Sequence, residues 1–296
     1  MATLQDIRRR IRSVQSTQKI TRAMKLVAAA KLRRAQERIL EARPYAFKMA
    51  ELVGTLARAL GEDKHPLLVR REGERKLFVV ITADKGLCGA FNSNVLRRSV
   101  ELLRGSADGA GLVAVGRKAR DFYRRRPWTI RADRVGFLDR VSFEQARTLA
   151  DELIEAFLAE EVDEVWLVFN VFRSVAVQRV TVERLLPIEP PGQAEPAPGE
   201  PGPGAGVDYL YEPDAPTILH ALLPRHVEVQ LYRALLESAA GEHGARMTAM
   251  EAATKNAQEM IGLLTIQYNK ARQERITKEL LDIVGGAEAL RKSAEA

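Results

Sequence analysis

Between Thr82 and Asn92 the chain reads TADKGLCGAFN, a glycine-containing turn of the kind that can cradle a phosphate where a strand feeds a helix. Its spacing matches neither a P-loop nor the dinucleotide fingerprint, so a structural tight turn capped by Asn92 or Ser93 is the better reading. Cys88, in the same turn, is the single cysteine; it excludes an internal disulfide and fits a reducing compartment. A thiol nucleophile needs a base close by. His65, His220, His226 and His243 are all remote from it in sequence, so Cys88 reads as a small packing residue. The four histidines also lack metal-ligand spacing. No catalytic, cofactor-binding or metal residue is expected, and no cofactor.

The charges say more. Residues 1–34 carry ten basic side chains (Arg8, Arg9, Arg10, Arg12, Lys19, Arg22, Lys25, Lys31, Arg33, Arg34) against one acid, Asp6. So one-sided a stretch calls for an acidic partner: nucleic acid, anionic lipid or an acidic protein collar. Trp128 and Trp166 lie outside it, so base stacking is not supported, yet a basic coiled-coil nucleic-acid-binding protein remains the alternative.

The elements that position these groups begin with a seam. Ile7, Val14, Thr21, Ala28, Ala35, Ala42, Met49 and Leu56 form one edge of it. Leu4, Ile11, Gln18, Lys25, Leu32, Ile39, Ala46, Val53 and Leu60 form the other. The alternating 3-4 steps put both on one stripe of a helix about 85 Å long, which another helix must cover. Pro44 bends the helix without ending it. Gln18, Thr21 and Lys25 are polar where the seam should be apolar. They either fix the register or mark where the helices part to face a partner.

From about residue 76 short apolar runs take over: Leu77–Thr82, Leu112–Val115 and Val165–Phe172 as buried strands, and Val175–Leu185 as a half-exposed one. Helical spacing over Asn94–Arg104, Arg117–Arg126 and Phe143–Ala159 alternates with them, which implies an α/β layer with crossovers. Nine of the thirteen prolines then fall between Pro187 and Pro216, a loop composition. From about Ala215 helical spacing returns, and Gly285-Gly286 reads as its stop. The expected fold class is α/β with long helices: an antiparallel coiled coil of the N- and C-terminal helices plus a central Rossmann-like α/β domain. The expected divisions are residues 1–60, 75–187, 188–214 (the loop) and 215–287. No apolar run reaches the roughly 18 residues of a membrane span, and the seam's continuity from the start argues against a removable leader.

Three segments, SVQSTQKITRAMKLVAAAKLRRA (13–35), TADKGLCGAFN (82–92) and the C-terminal RMTAMEAATKNA with YNKARQERITKELLDIVGGAEAL, together resemble the gamma subunit of F-type ATP synthases, bacterial type. The chain departs from that pattern in the Pro/Gly-rich stretch 190–206 and lacks the cysteine-bearing insertion of the chloroplast form.

The resemblance implies a non-catalytic rotor shaft in a proton-transporting two-sector ATPase, passing torque between a membrane ring of c subunits and a catalytic alpha/beta hexamer. The implied partners are the alpha, beta and epsilon subunits and the c ring, with one copy per complex, peripheral on the cytoplasmic face of the bacterial membrane. By the same resemblance Arg272, Gln273, Thr277 and Glu279 meet the catch loops of the beta subunits. Arg22, Met24 and Lys25 lie near the beta lever; Ile283, Val284 and Leu290 belong to the tip in its bearing; Tyr209 and Tyr211 contact the rotor ring.

Overall fold

The computed structural model describes residues 3–60, 65–106, 110–189 and 214–294, with the side chains of 58–60 and 288–294 left aside. Tyr209 and Tyr211, and most of the Pro/Gly-rich loop, lie outside the described residues. The elements run α1 (Leu4–Leu60), β1 (Lys76–Ile81), α2 (Phe91–Arg104), β2 (Gly111–Val115), α3 (Arg117–Tyr123), β3 (Ile130–Arg134), α4 (Phe143–Leu158), β4 (Glu164–Phe172), β5 (Gln178–Leu186) and α5 (Ala215–Ala294). They form two compact units, one of Ala28–Thr248 and one of Met1–Val27 with Ala249–Ala296. No helix among the described residues is long and apolar enough to cross a membrane.

In the larger unit five strands lie in the order β3-β2-β1-β4-β5, parallel except for β5, which runs antiparallel to β4. Alternation along β1 divides two cores. Phe78 and Val80 point to α2 and α3, joining Val95, Leu96, Leu103, Ala119 and Tyr123. Leu77, Val79 and Ile81 point the other way, into a larger core with α4 and the inner stretches of both long helices, among them Leu32, Ile39, Val53, Leu223, Leu231 and Leu235. The seam holds here: Ala28, Leu32, Ala35, Ile39, Ala46, Met49, Val53 and Leu56 are all buried. The helices thus do more than flank the sheet, because their inner stretches supply one wall of its core.

Several expectations need amendment. α1 continues through Pro44, as expected. β3, with the sequence IRADR, has charges at Arg131, Asp133 and Arg134 and no apolar run to mark it as a strand. Neither Asn92 nor Ser93 caps α2: the cap position is Ala90, without a side-chain bond. Asn92 instead accepts from the Ala83 amide at 2.8 Å, tying the turn to the end of β1, while the Ser93 hydroxyl donates to the Ala90 carbonyl. Gly285-Gly286 does not stop α5, which runs on to Ala294. Missing a Cβ permits a left-handed stop but does not impose one, and the good helix formers that follow (AEALRKSA) carry the helix through.

The order of strands puts a reversal point between the C-terminal ends of β1 and β4, where open α/β sheets ordinarily hold a ligand. Here α5 occupies it. A Cβ on Gly241 would stand 3.2 Å from the Phe91 ring and 3.6 Å from Asn170, and one on Gly244 would stand 3.2 Å from the Phe172 ring. A side chain at either place would have to push the ring back by a few tenths of an ångström, so glycine suits this close approach. Ala245 joins Ala83, Cys88 and Phe91 in a small core, Arg246 donates to the Gly86 carbonyl at 3.2 Å, and the Phe172 amide donates to Glu237 at 2.9 Å. The Cys88 thiol is buried and its pKa is raised by that burial, which suits packing rather than nucleophilic chemistry.

Candidate functional site: the laced helix pair and its unpaired extension

The smaller unit contains the first turns of α1 and the outer part of α5. α1 opens with a Thr-x-x-Asp box: Thr3 donates its hydroxyl to Asp6 at 2.8 Å, and the Asp6 amide donates back to the Thr3 oxygen at 3.2 Å. The Thr3 hydrogen bonds, helped by Arg9 and Arg10, hold the Asp6 carboxyl below its usual range.

The seam's polar positions find partners across the pair. Lys25 meets Glu251 at 2.5 Å, the Thr21 and Thr254 hydroxyls lie 2.8 Å apart, and Gln18 donates to Gln258 at 3.3 Å. Farther along, Arg8 donates to the Tyr268 hydroxyl at 2.6 Å. Numbers rise on α1 as they fall on α5, so the pairing is antiparallel and keeps one register throughout. Of the two readings of Gln18, Thr21 and Lys25, register is the one the geometry supports. The helices do not part there, because every polar group in the seam has an opposite number whose hydrogen bond offsets its desolvation.

On α5 the buried or half-buried positions step through Met250, Thr254, Ala257, Ile261, Leu264, Tyr268 and Ala271, and then cease. Every side chain from 272 to 287 is exposed. That places Arg272, Gln273, Thr277 and Glu279 together on a helix with no partner helix among the described residues, two turns from first to last. Glu279 accepts from Arg275 at 2.8 Å. The same extension leaves Ile276, Leu280, Leu281, Ile283 and Val284 exposed, an apolar surface that an isolated soluble helix does not ordinarily display. Leu280 and Ile283 belong to the helical spacing of the sequence, and Ile276, Leu280 and Ile283 keep its 4-3 steps but fall out of the seam's register, whose next places are Arg275, Lys278 and Asp282. The Leu290 side chain lies outside the described ones.

The second group sits apart from the first. Arg22 is exposed, Met24 half-buried and Lys25 engaged with Glu251. Of the basic residues of this α1 stretch, Arg9 is paired with Asp6, whereas Arg10, Arg12, Lys19 and Arg22 form no ion pair among the described residues. The arrangement offers exposed cations, polar groups and apolar side chains on a pair of helices, which is binding chemistry.

A family model described as ATP synthase matches residues 3–290. The ATP synthase gamma chain of Pelotomaculum thermopropionicum is 49% identical over 290 residues, spanning 98% of this chain and 100% of its own length. That of Desulforudis audaxviator is 51% identical over 295 residues, with the same coverage. The chain belongs to the ATP synthase gamma-chain family. Solved ATP synthase structures contain chains that share its fold. The central stalk and c-ring structure of the Tetrahymena thermophila mitochondrial ATP synthase contains a chain 26% identical, with a TM-score of 0.59 over 79% of this chain and 99% of that one. A chain of the Euglena gracilis mitochondrial ATP synthase, 21% identical, shares the fold with a TM-score of 0.69 over 99% of this chain and 96% of that one.

Proposed function

We propose that this gamma-family chain is the central-stalk rotor subunit of an F-type ATP synthase. It transmits torque between an ion-driven membrane ring and the alpha/beta hexamer and performs no chemistry itself. The observation that carries the reading is the extension of α5 beyond Ala271, which exposes a polar cluster and an apolar surface that nothing among the described residues covers. Surrounding subunits would cover them in the assembly.

In this reading Arg272, Gln273, Thr277 and Glu279 engage the beta catch loops. Their hydrogen bonds form and break as the shaft turns, where a wholly apolar surface would adhere. Arg22, Met24 and Lys25 face the beta lever, with Lys25 already oriented by Glu251. Ile283, Val284 and Leu290 run in the apolar bearing, and Tyr209 and Tyr211 reach the rotor ring. Epsilon binds the α/β unit, and the assembly sits peripherally on the cytoplasmic face of the bacterial membrane. One charge crossing 100 mV supplies about 2.3 kcal/mol, so several ion steps must be pooled for each ATP released, a task for a stiff laced pair.

The test replaces Arg272 and Gln273 with alanine in the assembled enzyme. Losing one charge-assisted hydrogen bond at the turning contact costs about 1.5 kcal/mol, or roughly tenfold in coupled turnover. Because both side chains are exposed, folding should be unchanged. Unaltered single-molecule rotation and ATP turnover would refute the assignment.

A further inference from the structure

On the face of the sheet opposite the long helices, α2 and α3 enclose a groove that the rotor reading does not use. Arg97, Arg104, Lys118, Arg124 and Arg125 stand along its walls. None of them forms an ion pair among the described residues. The two carboxylates in the walls are taken by other arginines, Glu101 by Arg98 at 3.0 Å and Asp121 by Arg120 at 3.0 Å. The cations therefore have no acidic partner among the described residues, and an anionic occupant would gain from the field they share.

The floor has a different character. Leu96 and Val100 from α2 meet Phe122 from α3, and the Arg126 guanidinium stacks 3.3 Å from the Phe122 ring centre. Beneath them the buried Tyr123 hydroxyl lies 2.6 Å from Ser99, a bond that pins α3 to α2 and sets the spacing of the walls. The space holds about 1040 Å³. The path along α2 from Ser93 to Arg104 is about 16 Å, three turns of a helix lying beside it.

We propose that this groove docks an acidic, amphipathic helix of a partner protein. Its apolar stripe rests on Leu96, Val100 and Phe122, and its carboxylates meet the guanidinium forks of the walls, which accept them two oxygens at a time. A free nucleotide or phosphate would satisfy the cations and leave the apolar floor wet. A bilayer surface is broad where the groove is narrow. The helix uses both features.

The experiment titrates the full chain with a fluorescent synthetic helix of about 14 residues, leucine on one stripe and glutamate elsewhere, read by anisotropy. A scrambled peptide of equal charge without the stripe, phosphatidylglycerol vesicles and ATP serve as competitors. The amphipathic peptide should bind at least about tenfold more tightly than the scrambled one, and Arg97→Glu with Arg125→Glu should weaken it by about tenfold or more, roughly 1.4 kcal/mol. Val100→Asp should do the same through the floor. If that variant does not fold, the two exposed arginine substitutions decide alone. Equal binding of both peptides would reduce the groove to a solvated charged face and overturn the proposal. So would vesicles or ATP displacing the peptide at lower concentration than the peptide itself requires.

Discussion

Mild acidification should destabilise the α/β unit, because two histidines of α5 are buried neutral. His226 and His243 are 8% and 5% exposed, and in each the ring nitrogen Nδ1 has no hydrogen-bond partner. Burial, first, and the nearby Arg233 push His226 down to about 4. Burial, then Lys31 and Arg246, push His243 down to about 4 against the weaker pull of Asp139. The sign follows from who holds the proton. Between pH 6.5 and about 4 the unfolded chain binds a proton at each site and the folded chain does not. Stability is therefore full above 6.5 and lost as pH falls toward 4. Each site changes stability by about 1.4 kcal/mol per pH unit in that window, so going from about pH 7 to 5 removes roughly 4 kcal/mol for the pair. Against a total of about 5–15 kcal/mol this is a large share. Glu242 opposes it in part, since burial raises its carboxyl pKa and favours the folded state as pH falls through that raised value. Urea unfolding followed through Trp128 and Trp166, both in the α/β unit, measures the effect at each pH. His243→Asn should halve the pH dependence whatever it does to stability at neutral pH. A variant lacking both histidines with an unchanged slope would refute the argument.

The lacing of the helix pair gives a second prediction. Thr21→Val or Thr254→Val alone should cost about 0.5–1 kcal/mol by removing the bond across the pair, since the remaining hydroxyl keeps its bond to the Gln18 or Met250 carbonyl of its own helix, and the double variant less than the sum, with a coupling of about 0.5 kcal/mol in thermal unfolding. Gly116→Ala should be far worse. Its φ is +93° and a Cβ there would sit 2.0 Å from the Thr82 carbonyl oxygen, so strain and overpacking together should cost about 3–5 kcal/mol, seen as a collapse of soluble expression or of the unfolding midpoint.

Much of this architecture was legible because burial repeats along a helix. The seam from Ile7 to Leu56 was written in single residues at fixed steps, and every one of its positions is buried or half-buried. What escaped depends on distance in the chain. The partners of Gln18, Thr21 and Lys25 lie more than 220 residues away. Sequence alone therefore left two readings of three polar seam residues, and the register chose between them. β3 escaped because an edge strand need not be apolar: in IRADR only alternate residues are even half-buried. Gly241 and Gly244 look like weak points of a helix until the rings of Phe91 and Phe172 are brought against them.

That close seating of α5 in the crevice of the sheet has a mechanical consequence. A slot that opens for a ligand must let its two lips move, and such a joint has play. Filled by a helix whose Gly241 and Gly244 lie against the rings of Phe91 and Phe172, and bonded through Arg246 to the carbonyl of Gly86 on one lip and through Glu237 to the amide of Phe172 on the other, it becomes a key in a keyway. A twist applied to this stretch of α5 bears at once on the ends of two hydrogen-bonded strands. The load is spread over backbone that resists shear, and backlash at the joint is removed.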